Sequence, residues 1–170
     1  MPPVPRVGEL ELHQDLRYQR REWVAQRLAW TVMALVIGAA LAGVLGKGPL
    51  SNATVAAPDG SLHLEYERFL HYRSPTQLTV SVPGQFTAGG EVRLWMAEDY
   101  LAGIQIDRVY PRPERVEAGE GRHVYIFRVG DPGKPVRLIF KMQADEKLGL
   151  SGRLGLVNQG AVAFNQFVYP

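Results

Sequence analysis

The four histidines are the side chains in this sequence best suited to catalysis or metal binding. An imidazole titrates near neutral pH and is a common ligand of zinc. His63 and His71 flank Glu65 and Glu67, and a strand would place all four side chains on one face. The same positions suit the solvent-facing side of a half-buried strand, and the other two histidines are far away. We therefore expect no metal site.

Other chemical signatures are also missing from the sequence. The chain has no cysteine, which excludes disulfides, cysteine-ligated zinc, iron–sulfur clusters and thiol nucleophiles. Gly119-Glu120-Gly121 lacks the third glycine and the following helix that a phosphate-binding loop requires. No serine lies in a nucleophile-elbow motif. We expect a protein that is not an enzyme and that carries no cofactor.

The charge is nearly balanced, with 19 Lys and Arg against 17 Asp and Glu. Residues 1–47 contain six basic and four acidic side chains, and residues 48–170 contain thirteen of each. The larger C-terminal part therefore has no basic field of the kind that binds nucleic acid. We expect no nucleic-acid partner.

An apolar run over residues 28–45 contains a single polar side chain, that of Thr31. As a helix it would span about 27 Å, close to the ~30 Å thickness of the hydrocarbon core of a bilayer. Helix formers before the run extend the predicted juxtamembrane and transmembrane helix to residues 14–46. A cleaved signal peptide is the main alternative, since Ala40 and Ala42 resemble a cleavage site, and a buried soluble helix is another. The long run and the long leading segment favour a retained anchor.

Aromatic and basic residues mark the N-terminal end of this run. Trp23 and Trp30 are predicted to lie at the membrane interface together with Arg20, Arg21 and Arg27, whereas only one lysine occurs in the twenty residues after the run. The positive-inside rule then places the N-terminus in the cytoplasm. We expect a single-pass protein of the inner membrane of a bacterium, with its C-terminal domain in the periplasm.

Small residues recur at every fourth position, at Ala34, Gly38, Ala42 and Gly46. This spacing places them on one helix face, where another helix can approach closely. Alanine and glycine are also common in membrane helices, so the stripe has a chance explanation. We interpret these four residues as a candidate helix-packing surface.

Beyond Pro49 the hydrophobic period changes from helical to two. Alternation predicts eight strands, separated by turn signals at Asp59-Gly60 and Asp131-Pro132-Gly133, at residues 149–152 and in a loop over 111–121. The stretch VYIFRV is apolar on both faces and is therefore predicted to be a central strand. The predicted organisation is an irregular arm over 1–13, the helix over 14–46, a linker over 47–59 and an antiparallel β-sandwich over 60–170. The layout resembles an immunoglobulin-like or fibronectin-like module in architecture, without the paired cysteines of true immunoglobulin domains.

Exposed aromatic and cationic residues of the β-domain are candidates for protein contacts. Trp95 alternates with three apolar residues, so it either faces solvent or lies under a second sheet. Tyr110 and Arg112 lie in a stiff, proline-rich loop that suits binding or ordinary loop closure. Phe167 and Tyr169 lie near the end of the chain.

These features predict a non-catalytic, single-pass membrane accessory subunit that packs against other integral membrane subunits and braces their complex with its external β-sandwich. An energy-converting respiratory or photosynthetic assembly is one candidate host. The alternative is a membrane-tethered periplasmic module that binds a soluble ligand or peptide. We expect the lipid bilayer and membrane proteins as partners, and no small-molecule ligand.

Overall fold

A computed structural model describes residues 6–7, 10–11, 16–41, 50–87, 89–146 and 148–170 of the chain. The chain divides into two compact units, Met1–Ala40 and Leu41–Pro170. Two short antiparallel strands, β1 (Arg6–Val7) and β2 (Leu10–Glu11), lie in the arm that was expected to be irregular. They precede a 26-residue helix, α1 (Leu16–Leu41). The predicted helix ends, residues 14 and 46, lie outside the described residues.

The regular structure described in the second unit is almost entirely β, as the alternation of apolar and polar residues predicts. Among the described residues of this unit, a short helix, α2 (Glu98–Ala102), follows the strand over Glu91–Ala97, and a 3₁₀ turn covers Gly84–Phe86. The strands are β3 (Asn52–Ala56), β4 (His63–Glu67), β5 (Phe69–His71), β6 (Pro75–Val82), β7 (Glu91–Ala97), β8 (Ile104–Tyr110), β9 (Arg115–Gly119), β10 (Arg122–Arg128), β11 (Val136–Ala144), β12 (Leu148–Leu156) and β13 (Ala161–Tyr169).

These strands form two sheets. The six-stranded sheet has the order β5-β13-β12-β7-β10-β9, and the five-stranded sheet has the order β3-β4-β6-β11-β8. Neighbouring strands are antiparallel except β5 and β13, which pair in parallel with Phe167 opposite Phe69. The prediction of an apolar helix followed by an all-β sandwich is confirmed.

The core lies between the two sheets and is built from the apolar half of each alternating strand. β7 contributes Val92, Leu94 and Met96, each at most 2% exposed. Phe140 of β11 packs edge-on against Tyr125 and Phe127 of β10, with ring centroids 5.3 and 6.3 Å apart. Edge-to-face contacts of this kind add to the stabilisation from apolar burial.

A buried polar link crosses this core. The Tyr100 hydroxyl, on α2, donates to Gln166 Oε1 at 2.8 Å, and Gln166 Nε2 donates to the Glu67 carbonyl at 2.9 Å. Burial raises the pKa of Tyr100, so the phenol stays protonated and able to donate. The link joins β4 of one sheet to β13 of the other through satisfied hydrogen bonds.

The structure also contains elements that the sequence pattern did not predict. The three strands β3, β5 and β9 are additional to the eight predicted strands, and α2 is additional as well. β3 lies within the predicted linker, and β9 lies within the predicted loop over 111–121. Residues 149–152, predicted as a turn, belong to β12. A Cβ at Gly152 would overlap the Phe164 ring, so glycine at this position allows the ring of Phe164 on β13 to lie against the backbone of β12.

Candidate functional site

The apolar helix is the first candidate surface. Its Arg20–Leu41 portion has the length and composition of a membrane-crossing helix, and none of its most apolar window is buried in the described structure. A membrane anchor and a signal sequence both satisfy this test. The chain therefore combines one apolar N-terminal helix with a β-sandwich, an arrangement compatible with a membrane-anchored β-module.

The predicted membrane-interface residues are exposed on this helix. Trp23 and Trp30 are 64% and 63% exposed, and Arg20, Arg21 and Arg27 are exposed as well. The Arg27 guanidinium lies over the Trp23 ring, 5.4 Å from its centroid. This cation–π contact joins a basic and an aromatic residue one helical turn apart, as suits the boundary between water and lipid.

Thr31, the single polar residue of the apolar run, has its hydroxyl satisfied within the helix. Its Oγ1 donates to the Arg27 carbonyl at 2.8 Å. A bilayer core offers no water to an unpaired hydroxyl, so a bond of this kind lowers the cost of placing a threonine there.

The predicted helix-packing stripe is described only in its first half. Ala34 and Gly38 are exposed on α1, and a Cβ at Gly38 would meet nothing within 4 Å. Ala42 and Gly46 lie outside the described residues. Trp30 precedes Ala34 by four positions. At about 100° per residue, the two residues lie within ~40° of each other around the helix, so Trp30 shares the face of the stripe. The packing role of the stripe stays a prediction.

Trp95 lies on the face of β7 that points away from the core. The other sheet packs against the opposite face, through Val92, Leu94 and Met96, so the indole is not covered by a second sheet. Its cross-strand neighbours are Val124 and Gly155. The Arg122 guanidinium lies 5.9 Å from the indole centroid, and Trp95 is only partly exposed.

Phe167 and Tyr169 form an aromatic cluster at the β5 edge of the same outer face. Their ring centroids are 4.9 Å apart, and the Tyr169 ring lies 6.2 Å from Phe69 and 5.6 Å from His71. Phe167 is 42% exposed. His71 therefore lies beside an aromatic ring on β5 of the six-stranded sheet, whereas Glu65 and Glu67 lie on β4 of the five-stranded sheet.

Tyr110 and Arg112 lie elsewhere, at the end of the edge strand β8. Arg108 Nη1 donates to the Tyr110 hydroxyl at 2.8 Å, and the same guanidinium lies 5.8 Å from the Tyr110 ring centroid. The Tyr110–Pro111 peptide bond is cis, and Arg112 is exposed. These contacts hold the Tyr110 side chain along its own strand.

The five predicted contact residues thus occupy three separate places. Only Phe167 and Tyr169 are brought together. Trp95 shares their face, but it lies opposite Gly155, whereas Phe167 lies opposite Gly149. Six residues of a strand separate these glycines, about 20 Å. No single contact surface contains all five residues.

The sequence pattern did not reveal a shallow groove of 430 Å³ on the five-stranded sheet. Its lining residues are Glu67, Pro75, Thr76, Gln77, Asp107, Arg108, Lys141 and Met142. Glu67 Oε2 accepts from the Thr76 hydroxyl at 2.8 Å, and Asp107 Oδ1 accepts from Gln143 Nε2 at 3.1 Å. The groove forms where β4 stops pairing with β6 beyond Glu65. No sequence motif predicts where two paired strands separate in this way.

The groove is lined by two carboxylates, those of Glu67 and Asp107, and by two cationic side chains, those of Arg108 and Lys141. Its carboxylates accept hydrogen bonds from neighbouring protein groups, and its two cations balance its two anions. Within the described ranges, no three His, Asp or Glu side chains lie close enough to hold a metal ion. The groove therefore offers a mixed polar surface.

Comparison with known proteins assigns no family. No protein-family model matches the chain, and no curated protein matches it. Among solved structures, it is similar to a cohesin module from a Clostridium perfringens ATCC13124 family 33 glycoside hydrolase, at 6% identity and a TM-score of 0.41. The match covers 69% of this chain and 96% of that one.

A second solved structure describes the manganese lipoxygenase of Gaeumannomyces graminis with part of the zonadhesin of Komagataella pastoris. The identity is 10% and the TM-score 0.33, over 68% of this chain and 44% of that one. Such weak likeness says nothing about function. The assignment of the sandwich rests on the strand order of this chain.

Proposed function

We propose that the protein is a non-catalytic, single-pass membrane subunit whose helix packs against a larger integral membrane complex and whose β-sandwich braces that complex on the far side of the membrane. The observation that carries this proposal is the exposed apolar surface of Arg20–Leu41. Such a surface is costly in water, and lipid or another membrane helix would cover it.

The flanks of the helix support an orientation with the N-terminus in the cytoplasm. Arg20, Arg21 and Arg27 precede the apolar run, and all three are exposed. Positive charges near a membrane helix are retained on the cytoplasmic side. The β-sandwich would then lie in the periplasm of a bacterium.

A packing role for the helix is supported by the open space around Gly38, where the helix backbone is accessible. Close approach of two membrane helices requires small residues because dispersion contacts between them replace the hydrophobic effect. Gly38 therefore provides a direct test of the proposal.

The experiment compares Gly38→Leu with Val36→Leu in the full chain. Val36 lies about 160° from Gly38 around the helix, so its substitution changes the opposite face. We expect both variants to resist alkaline carbonate extraction. Only Gly38→Leu should shift the protein from a large assembly to a free small species in native sizing after mild detergent.

Two results would contradict the proposal. One is a wild-type protein that runs as a free species of 18.9 kDa plus detergent. The other is a mature protein whose mass shows that the helix has been removed, since a cleaved signal sequence cannot hold a subunit in a complex.

A second candidate function is a membrane-tethered module that binds a soluble ligand or peptide. The aromatic cluster around Phe167 and the 430 Å³ groove favour it, because both present side chains on outer faces of the sandwich. Under this function the Gly38→Leu variant would keep full binding activity, whereas Phe167→Ala would weaken it.

A further inference from the structure

β9 is an open strand edge of the β-sandwich. It pairs with β10 on one side, and no described strand pairs with it on the other. All five of its residues are exposed. An edge of this kind presents unpaired backbone N–H and C=O groups that another extended chain can complete.

The other sheet edges are less suited to a specific partner. β5 has three residues. The pairing of β8 with β11 shifts register between Lys141 and Met142, so β8 is an irregular edge. β3 has no charged side chain that would select a register. β9 is regular over five residues and carries two charges of opposite sign.

The charge pattern of β9 is complementary to itself. If two copies of β9 pair antiparallel about Val116, each Val116 faces the other, and each Arg115 faces Glu117 of the other copy. Glu114 then faces Ala118, so no like charges are opposed. Opposite charges directly across an antiparallel pair stabilise it, whereas like charges destabilise it.

The side chains lie on the faces that this pairing requires. Val116 is opposite Tyr125, whose ring is in the core, so Val116 lies on the inner face, where it is 48% exposed. A second Val116 would cover this apolar surface and continue the core. Such an isologous contact closes after two copies and leads to no fibre.

The charged residues lie on the outer face and keep the capacity for further bonds. Glu117 Oε1 accepts from Arg115 Nε at 2.9 Å, and its Oε2 accepts from Arg93 Nη2 at 3.4 Å. The Arg115 and Glu117 side chains remain 59% and 46% exposed. A guanidinium has five N–H donors, so Arg115 can also bind the facing carboxylate.

We propose that β9 is a self-pairing edge through which two copies of this chain form an antiparallel, two-fold symmetric contact centred on Val116. Five residues bury much less than the ~1,200 Å² of a stable interface, so the contact is weak in dilute solution. Confinement of both copies to one membrane raises their effective concentration. In this respect the inference rests on the proposed membrane anchor.

The test uses the absence of cysteine from the chain. The full-length Val116→Cys variant carries a single thiol, and two-fold pairing places the two thiols opposite each other. Mild oxidation of membranes should yield a disulfide-linked dimer, since facing residues lie within the ~4.4–6.8 Å between Cα atoms that a disulfide spans. Ala118→Cys is the matched control. In this register two Ala118 residues are offset by four positions, about 13 Å, and should not cross-link.

Charge reversal tests the register independently. Adding Arg115→Glu to the Val116→Cys variant places a carboxylate at position 115 opposite Glu117 of the other copy, at both ends of the contact. This repulsion should reduce cross-linking at least several-fold. Adding Glu117→Arg as well restores opposite charges and should recover the dimer. Equal cross-linking of the 116 and 118 variants, no cross-linking at 116, or an adduct with a different protein would each overturn the self-pairing edge.

Alkaline carbonate extraction of the same membranes distinguishes a failure of the proposed membrane anchor from a failure of the self-pairing edge. Release of the protein into the wash would contradict the anchor alone. Retained protein that fails to cross-link at position 116 would contradict the edge alone.

Discussion

Asp59 joins two turns that lie 101 residues apart in the sequence. Its Oδ1 accepts from the Ser61 backbone N–H at 3.0 Å, and its Oδ2 accepts from the Gly160 N–H at 2.6 Å. The Ser61 hydroxyl, followed by the N–H groups of Gly160 and Ser61, holds the pKa of Asp59 below its ordinary value. The folded protein thus favours the ionised carboxylate more than the unfolded chain does.

This shift predicts a pH-dependent contribution to stability. Because the folded pKa is depressed, the contribution is complete above the unfolded value of about 3.9 and is lost as the pH falls through the folded pKa. Asp59→Asn should therefore lower the Tm at pH 7, and its difference from the wild type should shrink below about pH 4. Thermal unfolding between pH 2.5 and 7 measures this difference. A difference that stayed constant with pH would contradict the role of the charge.

At the scale of elements, a buried threonine joins the 3₁₀ turn after β6 to the turn before β11. The hydroxyl hydrogen of Thr87 can be donated either to the Gly84 carbonyl, at 2.9 Å, or to the Lys134 carbonyl, at 2.8 Å. The same oxygen accepts from the Gly133 N–H at 3.1 Å. The two turns approach so closely that a Cβ at Gly84 would overlap the Gly133 carbonyl. This contact holds together one end of the β6–β11 pair.

Gly84→Ala should consequently destabilise the domain by about 1–3 kcal/mol, the usual cost of forcing extra volume into a packed site. Gly130→Ala is the control, since a Cβ there meets nothing within 4 Å. Urea unfolding of both variants measures the free energy of unfolding. Equal stability of the two variants would show that the turns can separate without cost.

At the scale of the whole molecule, the buried hydrophobic residues of the described part of the chain lie in the second unit. They range from Ala53 to Val168. A fragment of residues 48–170 should therefore fold without the apolar helix and remain soluble. We expect circular dichroism of a β-protein, one cooperative transition, and a Tm within about 4 °C of the full chain in detergent. A fragment that aggregates or unfolds gradually would show that the first unit contributes to the fold.

Local patterns in the sequence account for much of this architecture. Alternation predicted the eight principal strands, and turn residues marked the bends at Asp59-Gly60 and Asp131-Pro132-Gly133, where Gly60 and Gly133 adopt positive φ. The stretch VYIFRV, apolar on both faces, is an interior strand as expected. β5 and β9 were missed because one is very short and the other lies between prolines and glycines, where no local pattern distinguishes a strand from a loop.

The candidate surfaces were predictable only in part. The sequence showed that Trp95 lies opposite Val92, Leu94 and Met96, but not which side a second sheet would cover. It placed Phe167 near Tyr169 because they are two residues apart on one strand. It did not place Phe69 beside them, because the parallel pairing of β5 with β13 joins segments about a hundred residues apart.

The sequence by itself determined the two parts of this protein. An uninterrupted apolar run predicts a helix suited to a membrane, and a period of two predicts strands with one buried face, since both signals depend on neighbouring residues alone. Only the tertiary structure decided which strands are neighbours, which face of β7 stays uncovered and which edges remain open. Alternation specifies the buried side of a strand, whereas its partners depend on contacts between distant segments that together exclude water.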